Sequence, residues 1–291
     1  MSMEKNQNNQ RAYGNVNSKV TIVNGDYNSM NENQITDLCL KLINDKLNQL
    51  REDAYGVLKM QVTSFSKDLF QRISFIEGKV DLLQKFASPS IQFALGESIM
   101  GYSQRNSDEH KELLIELLLK RLQVEDVSLK AILLDKLRKE IPYLTQNCVD
   151  MLAFLAFNML EFKCNNKEEL RNDLKEVNPI LESASQMSSL DFYYLQHTDF
   201  VHRISFVEKA DFIESTFANT YKKLIGDESL ESLRSFLKDV NPLWIEFLDL
   251  IKKYSMACYT PSAIGVYLGL IRLGQVLNQD FDYDNYLSQL F

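Results

Sequence analysis

Two histidines and an aspartate, His197, Asp199 and His202, form the one close grouping of potential metal ligands in the sequence. Imidazole and carboxylate groups are common ligands of zinc. A spacing of five residues, however, puts the two histidines on different sides of a helix, and no cysteine is nearby. We therefore expect no metal site here.

Adjacent carboxylates are a second pattern with chemical potential, because a pair of acids can divide the general-acid and general-base roles. Glu125 and Asp126 are consecutive, as are Glu168 and Glu169. Consecutive side chains point in different directions on a helix, so we expect these pairs to be solvated surface. Phosphate-binding loops, dinucleotide-binding fingerprints, nucleophile elbows and zinc-protease motifs are absent from the sequence. The sequence thus predicts no catalytic residues and no cofactor.

The elements around these residues begin with an Asn-rich stretch, Met1 to Gln34, that contains a strand-like pattern. Four residues alternate there with four others: Val16, Ser18, Val20 and Ile22 with Asn17, Lys19, Thr21 and Val23. This period of two and the turn residues Asn24-Gly25-Asp26 predict a short N-terminal β-hairpin or strand unit.

The strand unit is too short to bury itself, because an isolated hairpin is marginally stable in water. We expect its strands to pair either with the rest of the protein or with copies from other chains. Stacked asparagines favour the second arrangement. The candidate oligomerisation residues are Val16, Val20, Ile22, Val23 and Gly25. The alternative is an extension that becomes ordered only by packing on its own helices.

The remainder of the chain has the composition of a helical protein. Of its 291 residues, 45% are hydrophobic, and only 10 are Gly and 5 are Pro. Strand-type alternation does not recur after Asn28. We therefore predict a mainly α fold, a multi-helix bundle, in three parts. These are the tail 1–31, a long helix plus helical domain at 32–165, and a C-terminal helical subdomain at 166–291.

Charge and cysteine content narrow the class of protein further. A formal net charge of −8 argues against nucleic acid as a partner, because binding phosphates requires clustered Lys and Arg. Four cysteines, Cys39, Cys148, Cys164 and Cys258, are widely spaced in mostly apolar surroundings, as in reduced cytosolic proteins. The N-terminus lacks the pattern of a signal peptide, which predicts a cytoplasmic protein.

Periodicity and breaker residues predict the helices. From Gln34 to Leu83 apolar residues recur every three or four positions, which indicates one long helix or two nearly collinear ones. Pro89, preceded by Ser88, predicts the start of the next helix. Asn106-Ser-Asp108 predicts a helix end followed at once by a new start.

An uncharged run from Tyr254 to Ile271 approaches the length of a membrane span but contains Pro261, which favours a place in a core. Within it, Gly265 and Gly269 lie one turn apart, next to Ile264. Small residues at this spacing let another backbone come close, which suits tight packing or a membrane or interchain contact. A second segment, Met151 to Leu160, is apolar on nearly all sides.

A family resemblance extends over most of the chain and is strongest from Lys85 to Phe157. The residues that carry it are Pro89, Tyr102 with Arg105, Arg121, and Leu144-Thr145 with Asp150 and Leu152. This pattern resembles a poorly characterised bacterial family whose name joins a Legionella and a Veillonella locus tag. The resemblance implies a helical fold without active residues and an association with accessory and antiviral genes. Val20 to Asn28 is also similar to the Asn-Ile-Gln-x-Gly strand motifs found beside bacterial immune proteins, which assemble by stacking strands.

Three hypotheses for function follow. The first is a non-enzymatic antiviral defence protein that oligomerises on an infection trigger and disrupts the cell, most simply at the membrane. It implies a homo-oligomer, a phage protein as candidate trigger and membrane association on activation. The second is a binding module that recognises a phage protein or nucleotide signal for a separate effector. The third is an enzyme of unrecognised type, built around His197, Asp199 and His202 or around Arg105 and Arg121.

Overall fold

The computed structural model describes residues 32–44, 52–159, 166–204, 212–226, 229–279, 281 and 283. These residues form fourteen α-helices and one two-stranded antiparallel sheet, so the predicted mainly α fold is confirmed. The first seven helices are α1 Glu32–Asn44, α2 Glu52–Ser74, α3 Lys79–Gln84, α4 Pro89–Arg105, α5 Asp108–Leu122, α6 Leu129–Glu140 and α7 Gln146–Met159. The predicted strand unit at 1–31 lies outside the described residues.

The second half continues with shorter helices and holds both strands. The elements are α8 Lys167–Glu176, α9 Asn178–Ala184, α10 Ser189–Gln196, β1 Val201–Arg203, α11 Phe212–Ile225, α12 Leu230–Val240, α13 Leu243–Lys253, β2 Tyr259–Pro261 and α14 Ala263–Leu277. Single 3₁₀ turns occupy Lys85–Ala87, Ile141–Tyr143 and Met256–Cys258.

Capping residues determine where several helices begin and end. These ends position the side-chain contacts described below. Asn106 ends α4 in the left-handed conformation with φ of 49°, a backbone state that Asn tolerates better than most residues. The Ser107 hydroxyl accepts a hydrogen bond from the backbone amide of His110 and so starts α5. In α10, Ser188 and Asp191 form a reciprocal capping box. The predicted break at Asn106 to Asp108 and the predicted helix start at Pro89 are both confirmed.

The prediction of one long helix or two nearly collinear ones from Gln34 to Leu83 is wrong. Helices α1 and α2 pack against each other, which two nearly collinear helices separated by seven residues could not do. A later break follows Ser74, and Gly78 precedes α3 with φ of 75°. The apolar spacing is continuous because each helix turns one stripe toward the same core, and this spacing does not reveal a reversal of direction.

Helices α7 and α14 lie at the centre of the fold and make its most extensive helix pairing in the described part of the chain. Both are apolar on most sides, and neighbours cover them: α9 and α10 contact α7, while α5, α6 and α9 contact α14. Buried apolar side chains form one cluster that extends from Ile35 in α1 to Tyr283. The predicted division at residue 165 falls among residues 160–165, outside the described part, and stays a prediction.

The small sheet was not expected from the sequence. Val201 lies opposite Pro261, His202 opposite Thr260 and Arg203 opposite Tyr259. Two strands of three residues each leave the predicted mainly α body unchanged. Three residues per strand are too few to show an alternating pattern, so periodicity could not detect them.

Candidate functional site

The residues of the histidine cluster lie on different elements, at the end of α10 and in β1. His197 follows α10, and its Nδ1 lies 2.8 Å from the Tyr193 carbonyl oxygen. The Asp199 carboxylate accepts a hydrogen bond from Lys136 Nζ at 2.6 Å, and this contact lowers the pKa of Asp199. His202 lies in β1, so the expectation that both histidines share a helix is wrong. Among the described residues, no group of three or more His, Cys, Asp or Glu is arranged to hold a metal ion.

Arg121, one of the residues that carry the family resemblance, lies at the centre of a buried ionic network. Its side chain is 1% exposed, with Nε 3.2 Å from Asp135 Oδ1 and Nη2 2.8 Å from Asp126 Oδ1. Arg138, equally buried, donates to the same Asp135 oxygen at 2.5 Å and to the Ala94 carbonyl. The network joins α4, α5 and α6.

Asp126 is more than the solvated surface residue expected from the sequence. It is half exposed, yet its Oδ2 accepts hydrogen bonds from the Ser90 hydroxyl at 2.7 Å and the Ser88 hydroxyl at 3.2 Å. The Ser90 contact, followed by Arg121 and then by Ser88, lowers the pKa of Asp126. The carboxylate therefore sits at the N-terminus of α4, where negative charge is favourable. The other pair fits the expectation better, since Glu168 is exposed and pairs with Arg171, three residues away.

Asp150 forms a second buried ionic contact, which joins α7 and α14. Its side chain is fully buried, and its Oδ1 accepts from Arg272 Nε of α14 at 2.6 Å. Gln146 donates to the other carboxylate oxygen at 3.0 Å. Asp150 therefore links α7 to α14 electrostatically as well as by packing.

Thr145 caps α7 through the amide of Cys148, and Arg105 donates to the Pro142 carbonyl. Arg105 and Arg121 are thus held apart in separate structural contacts.

The glycines of α14 bring this helix into contact with neighbouring backbone. A Cβ added at Gly269 would meet the Leu152 carbonyl oxygen of α7, with the Leu152 carbonyl carbon at 2.8 Å and Ala156 Cβ at 2.9 Å. A Cβ at Gly265 would meet the Phe200 carbonyl oxygen, just before β1. Ile264 beside it is 6% exposed. All three residues face the interior of the chain. The oligomerisation residues Val16, Val20, Ile22, Val23 and Gly25 lie outside the described residues.

An open cleft lies where α2, α5 and α14 end. It has a volume of about 550 Å³, and its walls include Phe75 just after α2, Glu116 and Lys120 from α5, Gln275 from α14, and Asn278, which caps α14. A neighbouring cavity of about 430 Å³ shares Lys120. The cleft has the size of a small-molecule site, and its walls offer cationic, carboxylate and amide groups. No sequence motif indicated it.

The ring of Tyr283 stands between the two cavities. It stacks on Tyr267 with ring centroids 4.7 Å apart, and Lys120 Nζ lies 4.3 Å from the centroid of its ring. Lys120 Nζ is also 3.3 Å from Glu116 Oε1. Tyr283 is therefore held in place by an aromatic and a cation–π contact, and it fixes the shape of the cleft.

His110 is a buried titratable group that sequence reasoning missed. Its Nε2 lies 3.0 Å from the Leu144 carbonyl oxygen, which only accepts, so Nε2 carries the hydrogen. Its Nδ1 lies 3.2 Å from the Ser107 hydroxyl. Burial lowers the pKa of His110 below its usual value of 6.5, and Arg105 acts in the same direction. The sequence offered one signal for this residue: His110 lies three positions after Ser107, the N-cap of α5.

The lowered pKa of His110 predicts a loss of stability in mild acid. Below the unfolded-state pKa of about 6.5 the unfolded chain binds more protons than the folded one. Stability from this residue is therefore complete above that pH and falls as the pH decreases below it. We expect the unfolding free energy of wild type relative to His110→Gln to decrease between pH 7 and pH 5 in urea titrations. The control is His197→Gln, at an exposed histidine, and an equal pH slope in all three proteins would contradict the prediction.

Comparison with known proteins identifies a family but no closely related structure. The model of a family named after a Veillonella locus tag, with the suffix "-like", matches residues 30–233. This range is more than half of the chain. No curated protein and no solved structure matches the sequence. No helix in the described ranges combines the length and apolar character needed to cross a bilayer, the Tyr254 to Ile271 run included. Of that run, the α-helical part is its second half, from Ala263 to Ile271 at the start of α14.

Proposed function

We propose that this chain, which belongs to the bacterial family named after a Veillonella locus tag, is a non-enzymatic protein of antiviral defence. An infection-derived trigger, with a phage protein as the candidate, drives copies to assemble through the strand unit at residues 1–31. The assembled form then disrupts the cell at the membrane. The antiviral role rests on the resemblance described above and on the strand motif.

The observation that carries this proposal is that the buried polar residues of the helical part of the chain bind one another. Arg121 contacts Asp126 and Asp135, while Asp150 contacts Gln146 and Arg272. These groups stabilise helix packing and are not directed at a common reacting atom, as catalysis requires. We therefore assign the helical part of the chain a scaffolding role. The activity of the protein then depends on its assembly and on its exposed surfaces.

The length of α14 limits how the helical part of the chain can act on a membrane. Helix α14 has 15 residues, a length of about 22 Å at 1.5 Å per residue. The hydrocarbon core of a bilayer is about 30 Å thick, so one copy of α14 cannot bridge it. Damage therefore requires several copies that expose the apolar surfaces of α7 and α14 together. These two helices are the segments that we expect to rearrange.

Substitution of the apolar strand face tests the assembly. We expect Val20→Asp/Ile22→Asp in the full chain to reduce the mass of the triggered assembly at least severalfold, because a charge on a paired apolar face is costly to bury. Light scattering after size exclusion measures this mass, and phage plating efficiency measures protection. Protection should be lost together with the assembly.

The matched control is Thr21→Asp, which adds the same charge on the opposite, polar face of the predicted strand. This variant should assemble and protect as the wild type does. An unchanged mass in the double variant would refute strand-driven assembly. Dye leakage from liposomes that stays at background with the assembled wild type would refute the membrane step alone.

A second candidate function is favoured by the cleft. A cavity of about 550 Å³ with Arg72, Lys120 and Gln275 in its walls suits a module that binds an infection signal and acts through a separate effector. Expression of the gene without its neighbours distinguishes the two. Protection by the gene alone supports the self-sufficient protein, whereas protection only with a neighbouring gene supports the sensor.

A further inference from the structure

An exposed aromatic face lies on α10 and the turn before α7. Leu190, Tyr193 and Tyr194 are 73%, 62% and 41% exposed, and Tyr143 of the 3₁₀ turn is 58% exposed. The first three follow the i, i+3, i+4 spacing of one helix face, while Phe192 and Leu195 of the same helix are buried. The Thr145 hydroxyl donates to Asp191 of α10, so the turn that contains Tyr143 lies beside α10, and Tyr143 is at the edge of this face. We call these four residues the tyrosine face.

The tyrosine face lacks a charged group of its own. Asp191, the one charged residue of α10, is engaged by Ser188 in the capping box and accepts from Thr145 at 3.1 Å. Two charged groups border the face next to Tyr143: Glu140 directly precedes its 3₁₀ turn, and Arg105 donates to the carbonyl of Pro142. Their charges are opposite. A surface with a neutral centre and one charge of each sign at its rim is complementary to itself.

We infer that the tyrosine face is a two-fold interface with a second copy of this chain. In such an interface the same patch meets itself, so Arg105 of one copy can face Glu140 of the other, twice. Together the three tyrosine side chains expose about 300 Å². A standard interface buries about 800 Å² on each partner around an apolar, Tyr-rich centre. The tyrosine face supplies that centre.

This contact is independent of the proposed strand-driven assembly, because it requires neither residues 1–31 nor a trigger. The two can therefore be tested apart. The full chain carrying Val20→Asp/Ile22→Asp serves as the background that lacks strand pairing. In this background we expect a dimer by sedimentation velocity. Adding Tyr193→Arg should raise the dimer Kd more than tenfold, since two like charges would then meet near the axis.

The matched control in that background is Leu129→Arg, at a side chain of α6 that is 72% exposed and outside the tyrosine face. It should leave the dimer unchanged. A monomer before Tyr193→Arg is added, or a dimer that persists after it, would overturn the inference. A monomer that binds residues 1–31 as a separate peptide, or liposomes, through this face would overturn it in favour of that occupant.

Disulfide trapping covers the case in which the background still forms large assemblies. Leu190→Cys should give a covalent dimer on mild oxidation, linked through position 190 as shown by peptide mapping, and Tyr193→Arg should abolish the link. Leu129→Cys is the control. Retention of large assemblies would count against the proposed function, whereas absence of the link at position 190 would count against the two-fold interface.

Discussion

Gly269→Ala is expected to lower the free energy of unfolding by about 3 kcal/mol, at the upper end for an added methyl group in a packed core. The new Cβ would lie against the backbone of α7, 2.8 Å from the Leu152 carbonyl carbon and 2.9 Å from Ala156 Cβ. Backbone cannot rotate away as a side chain can, so α14 must shift as a whole. Such a shift would also lengthen the contact between Arg272 and Asp150. Urea denaturation followed by circular dichroism measures the change.

Gly96→Ala provides the matched control for Gly269→Ala. Gly96 is also buried within a helix, α4, but a Cβ there would have no heavy atom within 4 Å. Ala is a better helix former than Gly, so this variant should gain up to about 1 kcal/mol. The same chemical change then has opposite signs at the two sites. A Gly269→Ala protein as stable as wild type would mean that α14 is not seated on α7 as described.

Helix ends were the part of the fold most predictable from sequence, because local chemistry determines them. Pro89 fits only the first turn of a helix, and Asn106 tolerates the left-handed conformation that ends one. The reversal between α1 and α2 was not predictable in this way. It depends on which apolar stripes meet in the core, and one stripe per helix is consistent with several arrangements.

The candidate site was less predictable, because burial decides what its residues do. Arg121 and Arg138 resemble surface residues in sequence, yet both are 1% exposed. Asp135 and Arg138, three residues apart on α6, were a readable pair, but Arg121 comes from another helix. The spacing of Gly265 and Gly269 likewise did not indicate that the backbones of Phe200 and Leu152 would lie against them.

Asp135→Ala should destabilise the protein by about 3 kcal/mol, because it leaves two buried guanidinium groups without their shared carboxylate. Burial lowers the pKa of Arg138, which shows that its charge is held in the interior at a cost, and Asp135 is the first group that opposes this effect. Glu97 at 3.6 Å and the Ala94 carbonyl remain as partners of Arg138. They limit the loss, since removing an only partner can cost up to about 5 kcal/mol.

A double variant separates the loss of an attraction from the exposure of an unpaired charge. If the cost of Asp135→Ala comes from uncompensated charge, then Asp135→Ala/Arg138→Met should be more stable than Asp135→Ala alone, since Met fills much of the space without a charge. Asp199→Ala, which breaks the exposed pair with Lys136, should change stability little. Strictly additive losses in the double variant would contradict the coupling of Asp135 and Arg138. Because the network joins α4, α5 and α6, non-additive losses would mean that the carboxylate of Asp135 and the guanidinium of Arg138 act together in holding these helices.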